Sequence, residues 1–198
     1  MKKITLLIIF VFLVTKDHLA RTDENGKIIR SGLLTTQLTL SPSRLFSNGQ
    51  LFYLHGGIEG YLNDNLSISG DGYYYLGILS PENKEFDFMH NLFSGVFWHF
   101  TKKNNDFYIG FQPGVSIVKL NSETFNLATT KTGINPVISP VFGYRFFLGD
   151  FFHFYTQARF VFGENNYYLH KRIDEFRFSA GLGFNINTTE IKSVPLFF

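Results

Sequence analysis

The 198-residue sequence contains no cysteine, one tryptophan and two methionines. Without thiols there is neither a disulfide framework nor a thiolate metal site. Beyond residues 4–14 there is no long apolar run, which excludes a bundle of membrane-crossing helices. A surplus of charge is missing as well. Taking residues 1–20 away removes Lys2, Lys3, Lys16 and Asp17 from 18 basic and 16 acidic residues and leaves 15 of each. No basic excess points to nucleic acid. What the chain has in abundance is 25 Phe, 10 Tyr and 18 Gly, a composition that suits strands and tight side-chain packing. Mean hydropathy is near zero, a natural value for strands with one oily face and one wet face.

The start, MKKITLLIIFVFLVTKDHLA, sets Lys2 and Lys3 before an apolar run from Ile4 to Val14. This is the pattern of a secretory signal peptide, and eleven apolar residues are too few to span a bilayer as a helix. Residues 1–20 are therefore expected to be removed on export across the inner membrane, with Ala20 as a plausible last residue. Residues 21–30 then form an N-terminal periplasmic segment, 31–187 a strand-bearing domain, and 188–198 a C-terminal tail.

From residue 31 onward, a period-two alternation recurs in eight segments: 31–41, 51–62, 66–79, 86–100, 106–120, 135–149, 151–162 and 173–186. In 106–120, Phe107, Ile109, Phe111, Pro113, Val115 and Ile117 share one side, while Tyr108, Gly110, Gln112, Gly114 and Ser116 share the other. In 66–79, Leu66, Ile68, Tyr74, Leu76 and Ile78 oppose Ser67, Ser69, Asp71, Tyr73 and Tyr75. In 86–100 the expected apolar side is Phe86, Phe88, Leu92, Val96, Trp98 and Phe100, with Asp87, Asn91, Gly95 and His99 opposite. Charge within the segments gathers on the second face: Glu59, Asp71, Asp87, Arg145, Arg159, Glu175 and Arg177. Pro113, Pro136 and Pro140 each remove a ladder donor, so local bulges or sheet-rim positions are expected there.

The connections alternate in length. Short links at 63–65, 101–105 and 149–150 separate longer, more polar ones at 42–50, 80–85, 121–134 and 163–172. Short turns at one end, longer loops at the other, an even strand number and segments of about ten residues are the marks of a transmembrane barrel. Oil offers no hydrogen bonds, so a sheet can cross a bilayer only when closed on itself. The fold expected is all-β, a closed eight-stranded antiparallel up-and-down transmembrane β-barrel, located in the bacterial outer membrane. Phe86, Phe88, Trp98, Phe100, Phe107, Tyr144, Phe146, Phe152 and Phe154 lie towards strand ends, where interfacial aromatics belong.

In these features the sequence resembles the small eight-stranded outer-membrane barrels, namely the transmembrane domain of outer-membrane protein A and the Bacteroidota outer membrane protein beta-barrel domains. The final segment is similar to the assembly signal that such barrels carry in their last strand, through Ser179, Gly181, Phe184 and Ile186, although Ile186 is not aromatic. The resemblance implies outer-membrane lipid, lipopolysaccharide and the assembly machinery as partners, and a monomer.

An eight-stranded barrel is just wide enough for side chains to fill it. Glu59, Asp71, Asp87 and Glu175 are therefore expected to pair with Arg145, Arg159 and Arg177 inside, in a structural network that plugs a polar lumen. A narrow channel for small solutes, in which the pairs exchange partners, is the alternative. His55, His99 and His153 point inward by parity but are too spread for joint metal ligation, and no cofactor is expected. His90 and Ser94 share the apolar face, as His and Ser do in lipid A deacylases. Their Cα atoms should stand about 13 Å apart along the strand, beyond reach for a nucleophile and base. No enzyme is expected. A lipid-modifying enzyme and a soluble barrel for a hydrophobic ligand stay as remoter readings, the latter requiring Phe-rich positions to face inward. Loops 121–133 and 163–172, the second with Tyr167, Tyr168 and Leu169, are the places for surface interaction.

Overall fold

The computed structural model describes residues 21–22, 28–47, 49–78, 85–126, 131–166 and 170–188. The leader at 1–20, the Tyr167–Leu169 cluster and residues 189–198 of the tail lie outside the described residues. Eight long strands run β1 Leu33–Leu45, β2 Gln50–Tyr61, β3 Leu66–Ile78, β4 Phe86–Lys102, β5 Asn105–Leu120, β6 Gly133–Phe147, β7 Phe152–Asn165 and β8 Glu175–Asn187. Each pairs antiparallel with its sequence neighbours, and β8 pairs with β1, which closes the barrel. Two-residue strands Arg21–Thr22 and Ile28–Ile29 pair before the barrel, and Lys171–Arg172 pairs with the end of β7.

The apolar face points outward. Ile109, Phe142 and Phe178 are 46 %, 51 % and 44 % exposed, whereas Arg145 and Arg177 are 1 % and 0 % exposed. An apolar surface of this extent would be an aggregation liability in water and is the expected wall in lipid. It is also the reverse of what a soluble barrel for a hydrophobic ligand needs. The twelve residues of β2 extend about 40 Å, and a tilt of about 40° brings this near the depth of a hydrocarbon core. Outward aromatics gather at the short-turn end, where Trp98, Phe100, Phe107, Phe146, Phe152 and Phe154 are all exposed.

Four expectations change. The link 42–50 is a tight turn, because the alternation continues through Ser41-Pro-Ser-Arg-Leu45, with Ser41, Ser43 and Leu45 buried and Pro42 and Arg44 exposed. Small hydroxyls inside and a proline outside disguised a strand end as a loop. Phe86 is buried rather than outward, because the β4–β5 pairing slips between Phe86 and Phe88. A second slip opposite Phe52 and Tyr53 lets Ile78 pack partly against the interior, with Gly77 at φ 149. The prolines, finally, need fewer distortions than expected. Pro136 sits where the β6–β7 ladder ends, but Pro113 and Pro140 sit at two-residue gaps in the β4–β5 and β6–β7 ladders, with unchanged register on either side.

The interior is layered. At the loop end Leu45, Leu51, Phe86, Met89, Val118, Leu120 and Ile173 form an apolar cluster with Tyr53, Tyr73 and Phe93. At the turn end Ile28, Leu33, Tyr61 and Phe147 form a smaller one. Large inward rings are accommodated by glycine on the next strand. A Cβ on Gly143 would lie 2.1 Å from Tyr108 Cζ, and one on Gly110 would lie 1.9 Å from Phe97 Cδ1.

Candidate functional site

The charged groups meet between the two apolar clusters. Strands β2, β3, β5, β6, β7 and β8 each send at least one charged side chain inward: Glu59, Asp71, Asp106, Arg145, Arg159, and Glu175 with Arg177. Three centres result. Near the turn end, Arg145 Nη2 donates to Glu59 at 2.7 Å, and Ser67 Oγ donates to the same carboxylate at 2.7 Å. In the middle, Asp71 accepts from Arg159 Nη2 at 2.9 Å and Gln112 Nε2 at 2.8 Å, and His55 Nε2 lies 2.7 Å from its other oxygen. Towards the loop end, Glu175 accepts from Arg177 and Ser43, and from Tyr53 Oη at 3.1 Å.

Aromatic rings separate and bind the cations. Arg159 Cζ is 4.5 Å from the Phe93 centroid and 5.2 Å from that of Tyr73. Arg177 Cζ is 4.2 Å from Tyr53 and 4.4 Å from the other face-sharing ring, Tyr73. Among the described residues Nε and Nη1 of Arg177 have no hydrogen-bond partner, so ring faces supply the negative potential that oxygens would otherwise provide. Tyr108 lies under Arg145 at 5.4 Å and donates to Gln157, whose amide in turn reaches Tyr73 Oη at 3.4 Å. This chain of contacts couples the three centres.

Asp87 does not join them. It lies at the slip in the β4–β5 register, partly exposed at the loop-end rim, 3.1 Å from Lys119 Nζ and 3.0 Å from Asn121 Nδ2. The local bulge that turns Phe86 inward leaves Asp87 out of the lumen. Two groups that sequence reasoning missed take part instead. Asp106 accepts from Tyr61 Oη at 2.6 Å and lies 3.0 Å from His99 Nδ1. His99 Nε2 lies 3.1 Å from Glu59, so one imidazole stands between two carboxylates. Arg30, from the segment before β1, inserts from below: Nε lies 3.8 Å from Asp106, Nη2 donates to Lys103 O at 2.9 Å, and Cζ stacks 5.1 Å from Phe147. Asp106 shares the parity of Tyr108 and Gln112, a usable signal. Arg30 sits outside any alternating segment and carried none.

The interior therefore holds four arginines, Arg30, Arg145, Arg159 and Arg177, and four carboxylates, Glu59, Asp71, Asp106 and Glu175, all buried. Burial of this kind is tolerable only with matched, hydrogen-bonded partners. His153 is held apart by Asn185 Oδ1 at 2.7 Å. Among the described residues no group of three His, Asp, Glu or Cys side chains is placed to hold a metal ion.

On the outer wall, His90 Nδ1 accepts from the backbone N–H of Tyr75 at 3.1 Å, and its ring lies between Tyr74 and Phe88 with centroids at 4.5 and 5.1 Å. It patches the β3–β4 ladder, whose pairing stops at Tyr73 and Asn91. Of the last-strand signal, Ser179 points inward and donates to Ser41, Gly181 faces Thr39, Phe184 packs against Phe151 and Phe152, and Ile186 pairs across to Leu34.

No family model matches the chain, and no curated protein matches it. Solved structures do. The outer membrane protein OprG of Pseudomonas aeruginosa superposes with a TM-score of 0.57 at 10% identity, over 82% of this chain and 99% of that one. Neisserial surface protein A gives 0.58 at 9% identity, over 78% and 96%. The N-terminal β-barrel domain of Pseudomonas aeruginosa OprF gives 0.56 at 12% identity, over 79% and 98%. With its outward apolar wall, its eight antiparallel strands and its β8–β1 closure, this chain has the fold of the small eight-stranded bacterial outer-membrane β-barrels.

Proposed function

We propose that the chain is a non-enzymatic integral protein of the bacterial outer membrane, whose lumen is plugged by its own side chains and whose loop end meets external partners. Residues 1–20 direct export, residues 21–30 stay on the periplasmic side, residues 31–187 span the membrane as a monomer delivered by the assembly machinery through the Ser179–Ile186 signal, and 188–198 form a periplasmic tail. The observation that carries the plug is the charge match inside the bore: Arg145 pairs with Glu59 and Arg159 with Asp71 across it, Arg177 pairs with Glu175 along β8, and apolar clusters bracket them at both ends. An open aqueous bore would hydrate such groups and would not need that match. The wall bathes in lipid, and lipopolysaccharide surrounds the loop end.

The test is conductance in planar bilayers. Wild type and Arg159→Ala should both be silent, since removing one guanidinium leaves the other pairs and both apolar ends in place. Steady wild-type conductance would replace the plug with the narrow channel. The membrane assignment has its own readout, heat-modifiable mobility of the unboiled protein from the outer-membrane fraction.

A further inference from the structure

The β8–β1 seam carries a feature that closure of the barrel does not explain. The two strands pair from Glu175↔Leu45 to Arg177↔Ser43, and again from Gly183↔Gln37 to Asn187↔Leu33, with the same register. Between these stretches, Leu38–Pro42 and Phe178–Leu182 have no ladder partners across the seam. Pro42 has no N–H to offer there. Side chains bridge the interval instead: Thr39 Oγ1 donates to Ala180 O at 2.7 Å and Ser41 Oγ to Phe178 O at 2.9 Å.

Outside this opening, near the loop end, lies a groove of about 300 Å³, at the small end of the range for ligand clefts. Pro42, Phe52, Phe176 and Phe178 line its apolar part, and Arg44 and Gln50 line it as well. Register sets these neighbours: Arg44 pairs with Gln50 on one side and Phe176 on the other, next to the Pro42↔Phe52 pair. Arg44 is exposed and makes no hydrogen bond or ion pair among the described residues. Other cations at this rim are engaged, Lys119 with Asp87, Lys171 with Glu85 and Arg172 with Asp174. A free guanidinium above an apolar slot complements an anionic headgroup above a hydrocarbon chain, and the planar fork suits phosphate oxygens.

We propose that this groove docks one molecule of lipid A, the phosphorylated acylated glycolipid at the base of lipopolysaccharide, with an acyl chain against Pro42 and its phosphate on Arg44. The assignment rests on the outer-membrane reading above, which places the loop end in the outer leaflet. The occupant deepens that reading from general lipid contact to one site.

The full-length protein is reconstituted in phosphatidylcholine nanodiscs containing lipid A, dephosphorylated lipid A or phosphatidylglycerol, and the lipid retained after detergent extraction is counted by native mass spectrometry. Wild type should retain one lipid A. Arg44→Gln should weaken retention about tenfold, the worth of one charge-assisted hydrogen bond. Pro42→Phe should block retention while keeping the charge. Equal retention by wild type and Arg44→Gln, equal retention of the dephosphorylated lipid, full competition by phosphatidylglycerol, or dimers in place of lipid would each overturn the site. Heat-modifiable mobility of every variant reports separately on the barrel. Its presence with no lipid retained rejects the groove alone, and its absence in the wild type rejects the membrane reading and the groove with it.

Discussion

Replacing Arg159 by Met keeps most of the side chain's volume and removes its charge. Arg159 contributes a 2.9 Å bond to Asp71, a 3.3 Å bond to Ser139 and ring contacts with Phe93 and Tyr73. Met can still pack on the rings, so the loss falls on Asp71. That carboxylate is buried and keeps Gln112, Ser69 and His55 as hydrogen-bond partners, but it loses its guanidinium. Breaking a buried pair by removing one partner typically costs about 3–5 kcal/mol, because an uncompensated charge is left behind. Asp71→Asn alone strands the guanidinium and should cost a similar amount. The double variant Asp71→Asn/Arg159→Met strands neither, so its cost should fall short of the sum by more than about 1 kcal/mol, well outside the additivity of independent sites. Urea titration of the protein in lipid vesicles measures this, with Trp98, the single tryptophan and exposed on the wall, as the fluorescent reporter. Single-variant losses under about 1 kcal/mol, or additive singles, would mean that water reaches Asp71. The electrostatic argument for a plugged bore would then fail.

Two further outcomes follow from packing and from the wall. Gly143→Ala should lower stability by about 1–3 kcal/mol in the same titration, since its Cβ meets the Tyr108 ring, which Phe97 stacks against at 5.1 Å; adding Tyr108→Ala should recover part of that loss, and a fully stable single variant would refute the contact. His90→Ala should cost about 1–3 kcal/mol by leaving the Tyr75 N–H without its acceptor beside lipid, while Ser94→Ala should stay within about 0.5 kcal/mol of wild type; equal effects of the two would argue against the patching role.

Strand number, closure and the facing of most residues were legible because a barrel in oil obeys one strict rule, period two with the oily side out. The rule fails where the register slips. Asp87 has the parity of an inward residue, and only the two-against-one pairing at Phe86 and Phe88 puts it on the rim. No local property of Phe86-Asp-Phe-Met89 announces that bulge, because the slip is set by how β4 meets Leu120 and Lys119 of β5, a partner chosen by topology. Arg30 is the opposite case. Nothing in 21–30 alternates, and the side chain enters the lumen only because Asp106 and the carbonyl of Lys103, at the β4–β5 turn, converge there with Phe147 at the end of β6. The loop at 42–50 vanished for a compositional reason: Ser41 and Ser43 are inward-facing, and serine inside with proline outside reads as a turn.

Those serines connect the interior to the wall. A closed barrel has no edge strand on which a proline can be placed without consequence, and a backbone group left unmade in oil is costly. The chain answers in two ways. Pro113 and Pro140 each pair with β6 or β5 across their shared ladder, while the missing donor falls at a gap on the other side. At the seam the gap spans five residues on each strand, too many to leave to chance solvation, and there the inward hydroxyls of Thr39 and Ser41 turn back to the carbonyls of β8. Hence a small polar residue on the inner face can serve the wall as much as the lumen. Filling these positions with aliphatic side chains to make the bore drier would weaken the closure on which the whole barrel depends, because the carbonyls of Phe178 and Ala180 would lose the hydroxyl donors that span the opening.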